Sequence, residues 1–219
     1  MSNANTVPPD ALLLLTSQCP HCPTVLQGLG ELVKKGLIGR LEVVNIVTRP
    51  DIAEQYGVRT VPWFRLGEFE LEGLHSLAEL QRWAERAAST DSLALYYAEL
   101  LKQGQLAGVL SAIHRHKNHI SALLGLAGDP DTELTVRIGV SAVIEDHAGT
   151  ELLQSQLPAL AQLARHSDPR VRSDAAHFLA LSRNKAALGE LEALAQDSEP
   201  AVREIARDSL AELQEQLEK

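Results

Sequence analysis

Apolar positions follow two regimes along the chain. In the first third, short apolar runs alternate with stretches in which apolar residues recur every three to four positions. Ala11 to Leu15 is unbroken, as expected for a strand covered on both faces. Pro23 to Lys35 carries Val25, Leu26, Leu29, Leu32 and Val33 near helical spacing, and Gly36 suits its C-terminal cap. Leu41 to Val47 (LEVVNIV) reads as a second buried-type strand, parallel to the first if the helix is a right-handed crossover. Arg49 to Tyr56 reads as a short helix with Pro50 or Asp51 at its start and Gly57 at its end. Trp63 to Leu66 and Phe69 to Glu72 are the arms of a hairpin turning at Gly67-Glu68. Ser76 to Ala88 is a helix whose Ser76 and Glu79 are spaced for a capping box. Ser2 to Asp10, polar with Pro8-Pro9, is a loosely held lead-in.

Past Ala88 the alternation stops, and no strand is expected as far as Lys219. Asp91 or Thr90 can cap a helix bearing Leu93, Tyr96, Tyr97, Leu100 and Leu101; Gly104 breaks it, and Leu106 to His116 continues as another. Three segments then look alike. Asp129-Pro130 precedes Val136-Arg137, Asp168-Pro169-Arg170-Val171-Arg172 precedes Asp174 to Ser182, and Glu199-Pro200-Ala201-Val202-Arg203 precedes Glu204 to Leu213. Their spacings are 39 and 31 residues. An acid or Ser caps the helix, Pro is accepted at its first position, and apolar residues follow at helical spacing. These are Val171, Ala175, Phe178 and Leu179 in the second unit, and Val202, Ile205, Ala206, Leu210 and Leu213 in the third. Leu188, Leu191, Leu194 and Ala195 supply a partner helix between them. A single helix pair cannot bury its face alone, so neighbours must stack. The pattern, DPxVR above all, is similar to HEAT repeats. That resemblance implies a surface for a protein partner; the alternative is a plain helical domain that forms a homodimer or braces the first domain.

Length and charge narrow the classes. The 219 residues suit two modest domains, placed at 1–88 and 89–219. A net charge of −9 disfavours nucleic acid or an anionic membrane as partner. No apolar run is long enough to span a bilayer, and Met1 to Asp10 lacks the basic residue that starts a secretory signal, so a cytoplasmic location is expected.

The candidate chemistry is Cys19-Pro20-His21-Cys22, which contains the chain's two cysteines. A strand, a short loop with two thiols, then a helix is the layout of a thiol–disulfide site. Unpaired N–H groups at a helix start favour a thiolate over a thiol, so Cys19 is the expected attacking group and Cys22 the resolving one. His21 stabilises a neighbouring thiolate, and Pro20 shapes the loop. Two other readings remain: half of a zinc site, which lacks a second cysteine pair, and two buried structural cysteines. The run Ile113 to His119 invites a metal reading through His116 and His119, but with no carboxylate or Cys nearby in sequence no metal is expected. His75, His147, His166 and His177 are isolated in sequence and read as surface or satisfied core residues.

About forty residues beyond the cysteines comes Tyr56-Gly57-Val58-Arg59-Thr60-Val61-Pro62. With CPHC upstream and a hairpin and helix downstream, residues 10 to 88 resemble the thioredoxin-fold superfamily. The resemblance implies a cis peptide bond before Pro62, facing the cysteines, and places Thr60, Val61 and Pro62 where an extended substrate segment pairs with open main-chain groups. The departures are plain. Gln18 stands where thioredoxins carry Trp, and Leu12 to Leu15 carries no buried acid. The fold expected is therefore an α/β thioredoxin-like domain of compact, glutaredoxin-like form, followed by an all-α HEAT-like repeat domain. CPHC is shared with periplasmic disulfide-forming oxidases, which carry a helical insert absent here; no glutathione-binding pattern is convincing.

The expected function is thiol–disulfide exchange with a protein client that the helical domain selects or holds. No nicotinamide or flavin motif is present, so no cofactor is expected and electrons must come from a separate protein or small thiol. The rival is a redox-responsive interaction scaffold or assembly factor without turnover.

Overall fold

The computed structural model describes residues 7–88 and 92–218. The chain divides into two compact units, residues 1–93 and 94–219. The first runs β1 (Ala11–Leu15), α1 (Cys22–Lys34), β2 (Leu41–Asn45), α2 (Pro50–Tyr56), β3 (Trp63–Leu66), β4 (Phe69–Glu72) and α3 (Leu77–Ala87). Its sheet has the order β2-β1-β3-β4. β2 is parallel to β1, in register Leu13 to Val43, and β3 and β4 are antiparallel additions. The unbroken apolar run thus lies inside the sheet, with Leu13 and Leu14 fully buried. Leu12 and Leu14 pack with Trp63 against Ile52 and Tyr56 of α2. Because successive strand side chains point to opposite faces, Leu13 lies on the side where α1 meets β1 and α3 meets β3. There α1 and α3 approach closely: a Cβ on Gly28 would come within 2.5 Å of Leu80 Cδ1.

β2 departs from expectation. It is an edge strand, half exposed, with Val43 at 42%. It also stops at Asn45 rather than Val47, because the Asn45 side chain accepts the Val47 N–H at 3.0 Å and turns the chain. Continuous hydrophobicity does not distinguish a central strand from an edge strand with one covered face. The other boundaries follow local chemistry. Gly57 closes α2 at φ 64°, in the left-handed region. Ser76 and Glu79 form the capping box: Ser76 N–H donates to Glu79 Oε2 at 2.7 Å and Glu79 N–H to Ser76 Oγ at 3.3 Å. Ser76→Ala is expected to cost about 1 kcal/mol, read from urea denaturation of the full chain.

Among the described residues after 92 there is no strand. The cap expected from Thr90 or Asp91 lies outside the described residues. α4 (Ser92–Lys102) and α5 (Leu106–Arg115) are followed by three helix pairs. These are α6 (Ile120–Gly128) with α7 (Leu134–Asp146), α9 (Leu157–Leu163) with α10 (Pro169–Leu181), and α11 (Leu188–Leu194) with α12 (Pro200–Leu217); a one-turn α8 (Glu151–Gln154) precedes α9. α10 packs on α7, α9, α11 and α12, so each pair closes on the next. No helix among the described residues is long and apolar enough to cross a membrane.

The repeat spacing needs correcting. The second helices begin at 134, 169 and 200, in steps of 35 and 31. Asp129-Pro130 is a turn, not a helix start: Asp129 Oδ1 accepts the Asp131 N–H at 2.9 Å, and the helix waits for Leu134, with Glu133 at its N-cap. Asp168 does cap α10, accepting the Arg170 N–H at 2.8 Å with Pro169 at the first turn. Glu199 occupies the N-cap of α12 without a side-chain bond, and Asp197 accepts its N–H at 2.9 Å instead. The buried stripe of α12 is Val202, Ala206, Ser209 and Leu213; Ile205 is 38% exposed and Leu210 half-buried.

Aligning the helix starts explains the recurrent Val-Arg. The valines, Val136, Val171 and Val202, are all buried. Each arginine folds back onto a carbonyl of the loop before its helix: Arg137 Nη1 to Asp129 O at 3.1 Å, Arg172 Nη1 to His166 O at 2.8 Å, and Arg203 Nη1 to Asp197 O at 2.6 Å. Arg137 and Arg172 also pair with an acid of the following unit, Asp174 and Asp197 respectively. The motif therefore ties consecutive repeats together.

Candidate functional site

The loop from Thr16 to His21 joins the end of β1 to the start of α1. Asn45 at the end of β2 holds it, donating from Nδ2 to Ser17 Oγ at 3.0 Å, and Cys19 N–H reaches Thr16 O at 3.4 Å. α1 starts at Cys22, one residue earlier than the apolar spacing indicates, with His21 at the N-cap and Pro23 in the first turn. Cys19 and Cys22 are joined as a disulfide, their Cα atoms 5.5 Å apart. Cys22 is buried, 2% exposed, while Cys19 is part-exposed and Pro20 and His21 are exposed. The sulfur nearer solvent is therefore that of Cys19, and the opening N–H of the helix points at it: Cys22 N–H donates to Cys19 Sγ at 3.1 Å. Such a bond, at the positive end of a helix, favours negative charge on that sulfur.

The opposite wall comes from the segment before β3. The Val61–Pro62 bond is cis. The Val61 carbonyl oxygen lies 3.6 Å from Cys19 Sγ, forty-two residues away in sequence. Pro62 is buried, and its carbonyl accepts the Gly73 N–H at 2.8 Å, which pins the segment to the end of the hairpin. The pairing of β3 with β1 starts at Trp63, so Val61 stands outside the sheet ladder. Thr60 is exposed and donates from Oγ1 to Glu72 Oε2 at 3.0 Å.

The fold thus brings Cys19 to the Val61 carbonyl, with Thr60 and the cis-linked Pro62 flanking Val61 along the chain. Three supporting residues, Ser17, Asn45 and Glu72, went unnoticed in the sequence. Asn45 had a local signal, since Asn at a strand end commonly turns the chain; the other two act only through partners distant in sequence.

The histidine run is also rearranged. His114 and His147 approach to 4.9 Å between ring centroids, and Asp146 lies beside both. The absence of a nearby carboxylate, inferred from the sequence, does not hold in space, and His147 is not isolated.

Residues 11–85 match the family model of the thioredoxin domain, and residues 142–211 match that of HEAT repeats. No curated protein matches the chain. The first unit is a thioredoxin-like domain with a close cysteine pair, and the helical unit carries HEAT repeats. A thioredoxin-like domain so equipped supports a redox-related function.

Proposed function

We propose that the chain is a thiol–disulfide oxidoreductase acting on a protein client, with Cys19 as nucleophile and Cys22 as resolving thiol. One observation carries this reading: Cys19 Sγ lies between the first N–H of α1 and the Val61 carbonyl, part-exposed, while Cys22 is buried behind it. In the reductive direction the Cys19 thiolate attacks one sulfur of a client disulfide. A Cys19–client disulfide forms, and the other client sulfur leaves as a thiolate and takes a proton from water. Cys22, deprotonated, then attacks Cys19 Sγ and expels the second client thiolate. Two electrons have passed to the client, and the Cys19–Cys22 disulfide remains. A separate protein or small thiol re-reduces it. Run backwards, the same steps oxidise a client dithiol. Val61 and Pro62 align the client main chain, Thr60 borders it, and Pro20 and His21 set the reactivity of the pair. The HEAT repeats select or hold the client, and we place the cycle in the cytoplasm, where a disulfide of this kind is reopened by reductants.

Insulin reduction by the full chain with a dithiol donor tests the reading. A rate well above that of the free dithiol is expected; a rate equal to it leaves the redox-responsive scaffold as the better account. The reduction potential then sets the direction: about −270 mV marks a reductase and about −120 mV an oxidant.

A further inference from the structure

Away from the cysteines, two helix ends converge in the second unit. His114 lies in the last turn of α5, and Asp146 and His147 stand at the C-terminus of α7, which packs on α5. Helix C-termini carry partial negative charge and favour cations. His114 Nδ1 sits 2.9 Å from Leu110 O, and His147 Nδ1 sits 2.9 Å from Val143 O. A carbonyl can only accept, so each Nδ1 carries the proton, and in the neutral rings each Nε2 carries a lone pair. His114 Nε2 faces Asp146 Oδ2 at 3.6 Å. His147 is 4% exposed, and its Nε2 is buried with no hydrogen-bond partner. A buried nitrogen lone pair without a donor is costly. One ligand atom from each of the three residues falls within 4.8 Å of the other two.

We propose that His114, Asp146 and His147 bind a divalent transition-metal ion of the zinc type, which clamps the C-terminal ends of α5 and α7. Two imidazoles and a carboxylate suit such an ion and not magnesium or calcium, which prefer oxygen donors. The backbone carbonyls that hold Nδ1 of both rings are the outer partners that orient metal-binding imidazoles. Ligands on a tetrahedral ion at about 2.0–2.1 Å stand about 3.4 Å apart. The present spread closes by rotation of the Asp146 side chain, 42% exposed, with a small tilt of the exposed His114 ring that keeps its Nδ1 on Leu110 O. Water completes the coordination on the exposed side.

The probe is Zn2+, titrated calorimetrically into the full chain with the Cys19–Cys22 disulfide intact, so that no thiol competes. One saturable ion per chain is expected, with a rise in Tm. His114→Ala and Asp146→Asn, both at exposed positions, are expected to weaken binding by at least about 10-fold, the smallest loss usual even for outer partners of a metal site. Co2+ in place of Zn2+ is expected to show d–d absorption without a sulfur charge-transfer band. His116→Ala serves as control and leaves binding intact. No saturable binding, equal binding in His114→Ala and Asp146→Asn, or loss in His116→Ala overturns the proposal.

Discussion

Cys22→Ser is expected to turn the chain into a trap. Cys19 Sγ, part-exposed and held by the Cys22 N–H, still attacks a client disulfide. With no resolving thiol, however, the Cys19–client bond persists. Serine keeps the main-chain N–H that contacts Cys19, so the variant should retain the attacking group's setting. Covalent adducts should therefore accumulate on non-reducing gels of cell extract and collapse on adding dithiol. Cys19→Ser should give no adducts and lower insulin reduction to the rate of free dithiol, because a hydroxyl does not replace a thiolate as nucleophile here. The double variant should match Cys19→Ser. Adducts that form through Cys22 in the Cys19→Ser chain would reverse the assigned roles, and their absence from every variant would remove the exchange mechanism altogether.

The second large effect is structural. Arg172 and Asp197 are paired by two hydrogen bonds, 2.7 and 2.9 Å, with side chains only 12% and 10% exposed. Asp197 also accepts the Glu199 N–H where α12 begins. Asp197→Ala leaves a mostly buried guanidinium without its counter-charge and strips the helix start of its acceptor. Arg172 keeps its bonds to His166 O and Ser167 O, so the cost should fall near the lower end of the range for broken buried pairs, about 3 kcal/mol. For a unit of this size that corresponds to a Tm fall of roughly 10 °C, followed by circular dichroism. Asp197→Asn keeps an acceptor for Glu199 and should lose less. A fall of under about 2 °C for the alanine variant would show that the pair does not tie the repeats.

The same carboxylate gives a pH dependence. The hydrogen bond from Arg172, chiefly, holds the Asp197 carboxyl below its ordinary value. A carboxylate depressed on folding contributes stability that is present above its unfolded value, near 3.9, and is lost as pH falls toward the folded value. The wild-type chain should thus lose stability more steeply than Asp197→Ala below about pH 4, and the two curves should run parallel at neutral pH. Thermal scans between pH 2 and 7 at fixed ionic strength measure this.

Much of the fold was legible because its signals are local. Ser76 and Glu79 satisfy each other three residues apart, Gly57 supplies a left-handed cap, and Asp168-Pro169 starts a helix from its own side chains. Where a signal required knowledge of neighbours, the sequence misled. LEVVNIV has the hydrophobicity of a central strand and lies at an edge. Asp129-Pro130 has the letters of a helix start, yet its side chain closes a turn. Ile205 has the spacing of a core residue and faces solvent. In the candidate site, the cysteines and Pro62 announced themselves by type and context, whereas Ser17 and Glu72 carried no local mark.

By itself, then, the sequence determined much of what is settled within a few residues: the broad stretches of helix and strand, caps such as Ser76 with Glu79 and Asp168 with Pro169, and that two thiols stand one helical turn apart. Only the tertiary structure decided which groups meet across long separations. It put the Val61 carbonyl against Cys19, Asp197 against Arg172, and His147 and Asp146 against His114. Caps and periodicity arise from bonds a residue makes with its near neighbours along the chain. Pairings of this second kind depend on how whole elements pack, and no short stretch of sequence contains both partners.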